Sequence, residues 1–181
     1  DFLQNIKAAY HNYGSYTFAF IGHSLGGALT THAALDVALG KIIPTNQIII
    51  YNFGSPRVGN YVFASKVVAT IPVIYRVVHY KDIVPHVPPC KTNAKGECVT
   101  GQTEELDDGP FWAAWHIWSN IWYNENSTSY VNCNGGEDPK CGDQFSLAQS
   151  SVADHTDYFE IPVSCDGNKT KTIYATKTIY A

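Results

Sequence analysis

The sequence predicts an α/β fold: a mostly parallel central sheet with helices on both faces. Three observations carry this. Short apolar runs alternate with longer stretches of 3.6-residue periodicity, the pattern that right-handed strand–helix–strand crossovers leave in a sequence. A serine flanked by glycines sits where the first apolar run gives way to a helix. The chain has 181 residues, of which 45% are hydrophobic and 15% charged, so one sizeable core is available.

Each element has its own warrant. Phe2, Ile6, Ala9, Tyr10 and Tyr13 recur at helical spacing and predict an amphipathic helix over 2–13. Residues 16–21 alternate Tyr, Thr, Phe, Ala, Phe and Ile, which reads as a buried strand. A helix follows from Leu25 to Leu39, with Ala28, Leu29, Ala33 and Leu35 apolar. The run Ile48-Ile49-Ile50 centres a second strand over 47–53. Residues 61–70 form another helix and 73–80 a third strand. After Pro85 the character changes. Pro85, Pro88 and Pro89 break regular structure, and 91–110 is a polar excursion. The aromatic stretch 112–123 reads as a strand or an interfacial loop. A helical turn over 154–159 and a last strand over 159–164 complete the domain, taken as residues 1–165. Residues 166–181 form a tail that holds the tandem repeat Thr-Lys-Thr-Ile-Tyr-Ala. It suits a two-stranded edge element or a flexible tail equally well.

Composition excludes several classes of function. A net charge of −4 does not suit non-specific nucleic-acid binding. No apolar run reaches the length of a membrane-spanning helix. Met is absent and no signal sequence opens the chain, so a processed or truncated product is expected. Cys90 with Cys98, and Cys133 with Cys141, bracket polar loops and read as local disulfide staples of an oxidising compartment. Cys165 is the odd one. Sequons stand at Asn126 and Asn168, candidates for glycosylation. A secreted protein is the expectation. No metal is expected, because no Cys-x-x-Cys pair and no His-Glu-x-x-His occurs.

Gly22-His23-Ser24-Leu25-Gly26 fits Gly-x-Ser-x-Gly between a strand and a helix. Such a turn leaves room only for glycine on either side of the serine and pushes the hydroxyl above the sheet. The Leu25 N–H, first amide of the helix, is an oxyanion donor by position. A serine nucleophile needs a base, and the base needs an orienting carboxylate. The acid is expected just past a later strand, which favours Asp82 over Asp36, Asp107 and Asp108. His86 is too close to Asp82 in sequence to bridge to Ser24. That leaves His116, set among Trp112, Trp115 and Trp118, and His155, which sequence position favours modestly.

Four segments then resemble the class 3 lipase family of secreted fungal lipases and nematode relatives. They are Gly22-His23-Ser24-Leu25-Gly26-Gly27-Ala28-Leu29, Asn52-Phe53-Gly54-Ser55-Pro56-Arg57-Val58-Gly59-Asn60, Asp82-Ile83-Val84-Pro85 with Pro88-Pro89, and Asp154-His155-Thr156-Asp157-Tyr158-Phe159. The resemblance implies an α/β-hydrolase fold and a Ser24–Asp82–His155 triad that needs no cofactor. It implies a lipid or other ester substrate, most simply a triacylglycerol. Read on their own, Arg57 suits anchoring of the 56–59 loop by ion pairing, His23 packing under the turn, and His79 and His86 structural or solvated positions. His116 falls in a His-x-x-x-Glu-x-Trp-Tyr segment whose glutamate is Asn120 here, which weakens local support. Cys133–Cys141 resembles a family disulfide, and Cys165 a cysteine that pairs with an N-terminal region. That region would also hold the lid and the second oxyanion donor. The first strand, with an apolar edge, is expected to need it as a neighbour. The expected activity is serine-dependent ester hydrolysis. The alternatives are a phospholipase or esterase with the same triad, or an inactive lipid-binding protein on the same fold. The tryptophans suit either lipid contact or aromatic packing.

Overall fold

The computed structural model describes residues 1–99 and 113–163. In chain order it forms α1 (Phe2–Tyr13), β1 (Phe18–His23), α2 (Leu25–Leu39), β2 (Ile48–Phe53), β3 (Gly59–Asn60), α3 (Tyr61–Thr70) and β4 (Val73–His79). Then follow β5 (Ala114–Trp115), β6 (Asn120–Tyr123), β7 (Tyr130–Asn132), α4 (Val152–Thr156), β8 (Asp157–Tyr158) and β9 (Ile161–Pro162). The main sheet has the order β1-β2-β4-β6-β7. Its pairings are parallel except for β7, which runs antiparallel to β6.

Side-chain caps fix the helix starts. Asp1 accepts from the Leu3 amide, Asn60 from Phe63 at 2.9 Å, and Ser151 from Asp154 at 3.2 Å. Ser24 occupies the same position before α2 yet makes no capping bond. Its hydroxyl is engaged elsewhere.

The three long helices pack into one core. Ala34, Leu35, Val37 and Ala38 of α2 meet Val67 of α3 and Ile48, Ile50 and Ile74 of the sheet, with Leu3, Ile6 and Tyr10 of α1 packed against them. Ile48 and Ile50 are fully buried, each adding about 1.5–3 kcal/mol. Helices were expected on both faces. Here β1, β2 and β4 succeed one another in one direction across the sheet. Right-handed crossovers then place α2 and α3 on the same side. On the other face, among the described residues, α4 and Tyr158 cover the carboxyl ends of the strands. Below them Tyr51 stacks on Tyr75 at 4.9 Å, and Ile21 is 62% exposed. β1 forms one edge of the described sheet.

The stretch 112–123, expected as a strand or an interfacial loop, is divided over its described residues. β5 pairs with β3 in a separate two-stranded sheet and β6 joins the main one, because residues 116–119 carry the chain from one to the other. The turn expected over 154–159 begins at Val152 and passes into β8, and β9 answers it as a two-residue strand. Both expected disulfides, Cys90–Cys98 and Cys133–Cys141, are formed. Trp112, Asp107, Asp108, Cys165, Asn168 and the tail repeat lie outside the described residues.

Candidate active site

β1 ends at His23 and α2 begins at Leu25, so Ser24 must turn the chain alone. It does so at φ 59° and ψ −130°, a conformation that costs a non-glycine residue about 1–3 kcal/mol. The Ser24 N–H donates to the Phe53 carbonyl at 2.9 Å, which ties the turn to β2. A Cβ on Gly22 would collide with the Gly26 carbonyl. Glycine was expected to be required on both sides of the serine. At Gly26 a Cβ would meet open space, so the steric demand falls on Gly22 alone of the two.

Asp82 lies three residues past β4 and is 1% exposed. Its Oδ1 accepts from the Val84 amide at 2.8 Å, and its Oδ2 accepts from the Tyr158 hydroxyl at 2.5 Å. Backbone bonds clip this segment to the start of α4: Ser151 N–H donates to Lys81 O at 2.7 Å and Ile83 N–H to Ser151 O at 3.3 Å. His155, on α4, stands between acid and serine. Its Nδ1 is 2.9 Å from Asp82 Oδ1, and its Nε2 is 2.8 Å from Ser24 Oγ. A carboxylate only accepts, so Nδ1 carries the ring proton. Nε2 is left with a lone pair that accepts the Ser24 O–H.

His116 and His79 are tied to backbone carbonyls. His116 is 2% exposed, and its Nε2–H donates to the Pro85 carbonyl at 2.8 Å. Burial holds its pKa well below 6.5, with Arg76 and Arg57 adding to the effect. It supports the Asp82-bearing segment from behind. His79 reaches the carbonyls of Asp154 and Glu125, and half-buried His86 is lowered by burial. Arg57 anchors its loop as expected: a two-bond pair to Glu137 at 2.7 and 2.9 Å, and a bond to Pro88 O at 3.1 Å. Glu137 Oε1 also accepts from the His116 amide at 2.9 Å.

Asn120 leaves its mark. Arg76 spends Nη2 on Gly136 O at 3.1 Å, while its Nε and Nη1, Asn120 Oδ1 and His116 Nδ1 have no hydrogen-bond partner among the described residues. All three residues line one small cavity of about 10 Å³. Burial pushes the Arg76 guanidinium down to about 10. A glutamate at position 120 would offer this cation a counter-charge that asparagine does not.

Trp115 and Trp118 flank Tyr61 at 5.6 and 6.1 Å, and Trp122 Nε1–H donates to Tyr80 O at 2.8 Å. For these three the arrangement is aromatic packing. Cys133 and Cys141 stand near Asp138, but both sulfurs are used in the disulfide, so no thiolates are free there to ligate a metal.

Sequence reasoning gave Tyr158 and Gly54 no role at the site. Gly54 has φ 56°, and a Cβ there would meet Asp82 Oδ2, Tyr158 OH at 2.8 Å and His155 Nδ1 at 3.1 Å. The signal was available in part. Both residues stand inside segments singled out by the sequence, but the approach that needs them spans the fold.

With this geometry in hand, the chain can be set beside known proteins. The model of the family described as Lipase (class 3) matches residues 1–92, just over half of the 181 residues. A Caenorhabditis elegans lipase is 32% identical over 93% of this chain and 52% of its own length. The secreted mono- and diacylglycerol lipase 1 of Fusarium solani is 38% identical over 73% of this chain and 38% of its own length. Among solved structures, a triacylglycerol lipase whose catalytic centre is formed by a serine-protease triad superposes with a TM-score of 0.70. It is 32% identical, with 88% of this chain and 54% of that one covered. The chain therefore spans about half the length of the nematode relative and of the solved lipase. On both its sequence and its fold, the chain belongs to the class 3 lipase family.

Proposed function

We propose that this chain carries the catalytic triad of a secreted carboxylic ester hydrolase that acts on acylglycerols. The observation that supports this best is the continuous path Asp82–His155–Ser24, with contacts of 2.9 and 2.8 Å. Ser24 Oγ attacks the acyl carbonyl as His155 Nε2 takes its proton. Asp82 holds the Nδ1–H tautomer and stabilises the imidazolium. The Leu25 N–H, at the head of α2, donates to the oxyanion. His155 returns the proton to the leaving alcohol, and water then releases the acid by the same route.

Exposed apolar groups flank the serine and the base. Leu25 follows Ser24 at 67% exposure, and Val152 lies one turn before His155 at 63%. An acyl chain suits them better than a charged substrate does. The names of the relatives support an acylglycerol for the same reason of chemistry. An inactive lipid-binding protein is not favoured, because binding alone does not call for a buried acid and an imidazole in hydrogen-bonding order. Secretion is supported by the two disulfides and by the sequon at exposed Asn126.

Labelling the natural protein with a fluorophosphonate ester, read by intact mass, tests this reading. One adduct on the parent and none on Ser24→Ala is expected. An unlabelled parent overturns it. Hydrolysis profiled against acyl-chain length and head group then separates lipase from phospholipase or short-chain esterase.

A further inference from the structure

Of the groups that the triad leaves unused, His23 lies against it. It is the last residue of β1, fixed opposite Phe53 of β2 in the parallel ladder. Its Nε2 is 2.8 Å from the His155 carbonyl oxygen. A carbonyl only accepts, so Nε2 carries the proton of this ring. The two imidazoles are stacked, with centroids 4.5 Å apart and planes inclined by 28°. Tyr158 closes the arrangement edge-on, 5.5 Å from the His23 ring. His155 is thus held at both ring nitrogens, at its main chain and on one flat face.

We propose that His23 is a positioning residue for His155: it anchors the backbone of the base to the sheet and backs the face of its imidazole. This rests on the triad reading given above. The need for such an anchor comes from α4 itself. It is five residues long, little more than one turn, and a helix of that length does not hold its own direction in water. β1 is tied into a parallel sheet along its whole length. Through His23 the direction of the sheet is passed to the base, whose Nε2 must stay within hydrogen-bond reach of Ser24.

The stacked face has a second consequence. An imidazolium at His155 is favoured by a neutral ring beside it and opposed by a charged one. Burial holds His23 below its usual 6.5; the His155 ring lowers it too, while the His155 carbonyl and Asp82 act the other way. Tyr158 and His79 stand in the same cluster of rings. Tyr158, from β8, is pushed well above 10 by burial and by Asp82, so it remains a hydroxyl. His79, from β4, engages the Asp154 carbonyl of α4. His23 is therefore neutral where the base works, and it acquires an opposing charge only in acid.

The test uses the natural protein with His23→Phe and His23→Gln. Phenylalanine keeps a flat ring but has no N–H. Glutamine keeps an N–H donor and does not titrate. Three quantities are read: the fluorophosphonate labelling rate against pH, the thermal melt, and the downfield proton resonance of His155 Nδ1–H. For His23→Phe the labelling rate is expected to fall about 10–100-fold. Its acid limb is expected to lose the contribution of His23 and become shallower, and its Nδ1–H resonance to shift or broaden. His23→Gln is expected to recover part of the rate with the same shallower limb. A His23→Phe protein that labels at the parent rate with the parent's limb and resonance overturns the proposal. So does a lowered melt with the limb and resonance unchanged, which is the mark of a merely structural residue. If His23→Phe does not fold, the limb and resonance of His23→Gln decide in the same way. A parent that takes no label overturns the triad reading, and this inference with it.

Discussion

From Phe18 to His79 the chain holds its shape with ladders. β1, β2 and β4 share parallel hydrogen bonds, and α2 and α3 seal one face with aliphatic groups. From Tyr80 onward the described residues work differently. Strands shrink to two, three or four residues, and position is kept by separate polar contacts: Arg57 to Glu137, His116 to Pro85, Tyr158 to Asp82. Ser24 belongs to the first region. Asp82 and His155 belong to the second. The site lies on the seam between the two, so its geometry depends on contacts that have no neighbours to share a loss.

The largest expected effect follows at the clamp between the regions. Arg57 and Glu137 have side chains only 3% and 2% exposed. Removing one partner of a buried pair strands the other charge, at about 3–5 kcal/mol. Arg57→Ala should cost that much in denaturant unfolding. Ile50→Val, in the middle of the ladder, should cost about 0.5–1.5 kcal/mol. Equal losses in the two variants would break the comparison.

The same contrast decides what could be read from the sequence. The helices over 2–13, 25–39 and 61–70 lie where the structure places them, because aliphatic spacing is local and the ladder rewards it. Ser24 was legible for the same reason: a strand, a tight turn and a helix are neighbours in the chain. Asp82 needed only the end of a strand. His155 was harder. Its rival His116 is separated from it by a contact with Pro85 that no spacing records. β7 was not foreseen: Tyr130, Val131 and Asn132 are all exposed, so burial left no pattern to find. Glu137, Tyr158 and Gly54 act through partners 80, 76 and 28 residues away, the last being Asp82. Only the folded chain pairs them.

A smaller effect is expected at Tyr158. Tyr158→Phe removes the donor to Asp82 Oδ2 and leaves the His79 amide, 3.2 Å from that hydroxyl, without its acceptor. A hydrogen bond to a charged group contributes about 1.5–3 kcal/mol. The expected loss in unfolding free energy lies in that range. The Ser24 labelling rate should fall as well, because Asp82 then has fewer donors to fix its orientation toward His155. A variant that loses neither stability nor labelling rate would show that β8 does not hold the acid.

An effect that appears only as the pH is changed is expected at Asp143, which lies beside the clamp, 3.6 Å from Arg57. Burial and the neighbouring Glu137 push its carboxyl up to about 7, from an ordinary 3.8, and Arg57 only partly offsets this. Between those two values the folded chain keeps a proton that the unfolded chain gives up. Stability from this group is thus complete below about pH 4 and is lost as pH rises toward 7. The slope should be about 1 kcal/mol per pH unit. His116 works in the opposite direction. Its depressed pKa makes unfolding take up a proton below 6.5, so its contribution is present above that value and is lost in acid. In the parent the two slopes partly cancel. Asp143→Asn removes one and leaves the other. Its advantage over the parent should therefore grow from pH 4 to 7 and then level, measured by urea unfolding at unit steps from pH 4 to 8. A constant difference across that range would mean that Asp143 titrates as an ordinary surface carboxylate. The polar cluster would then be more open to water than its packing around Arg57 and Glu137 implies.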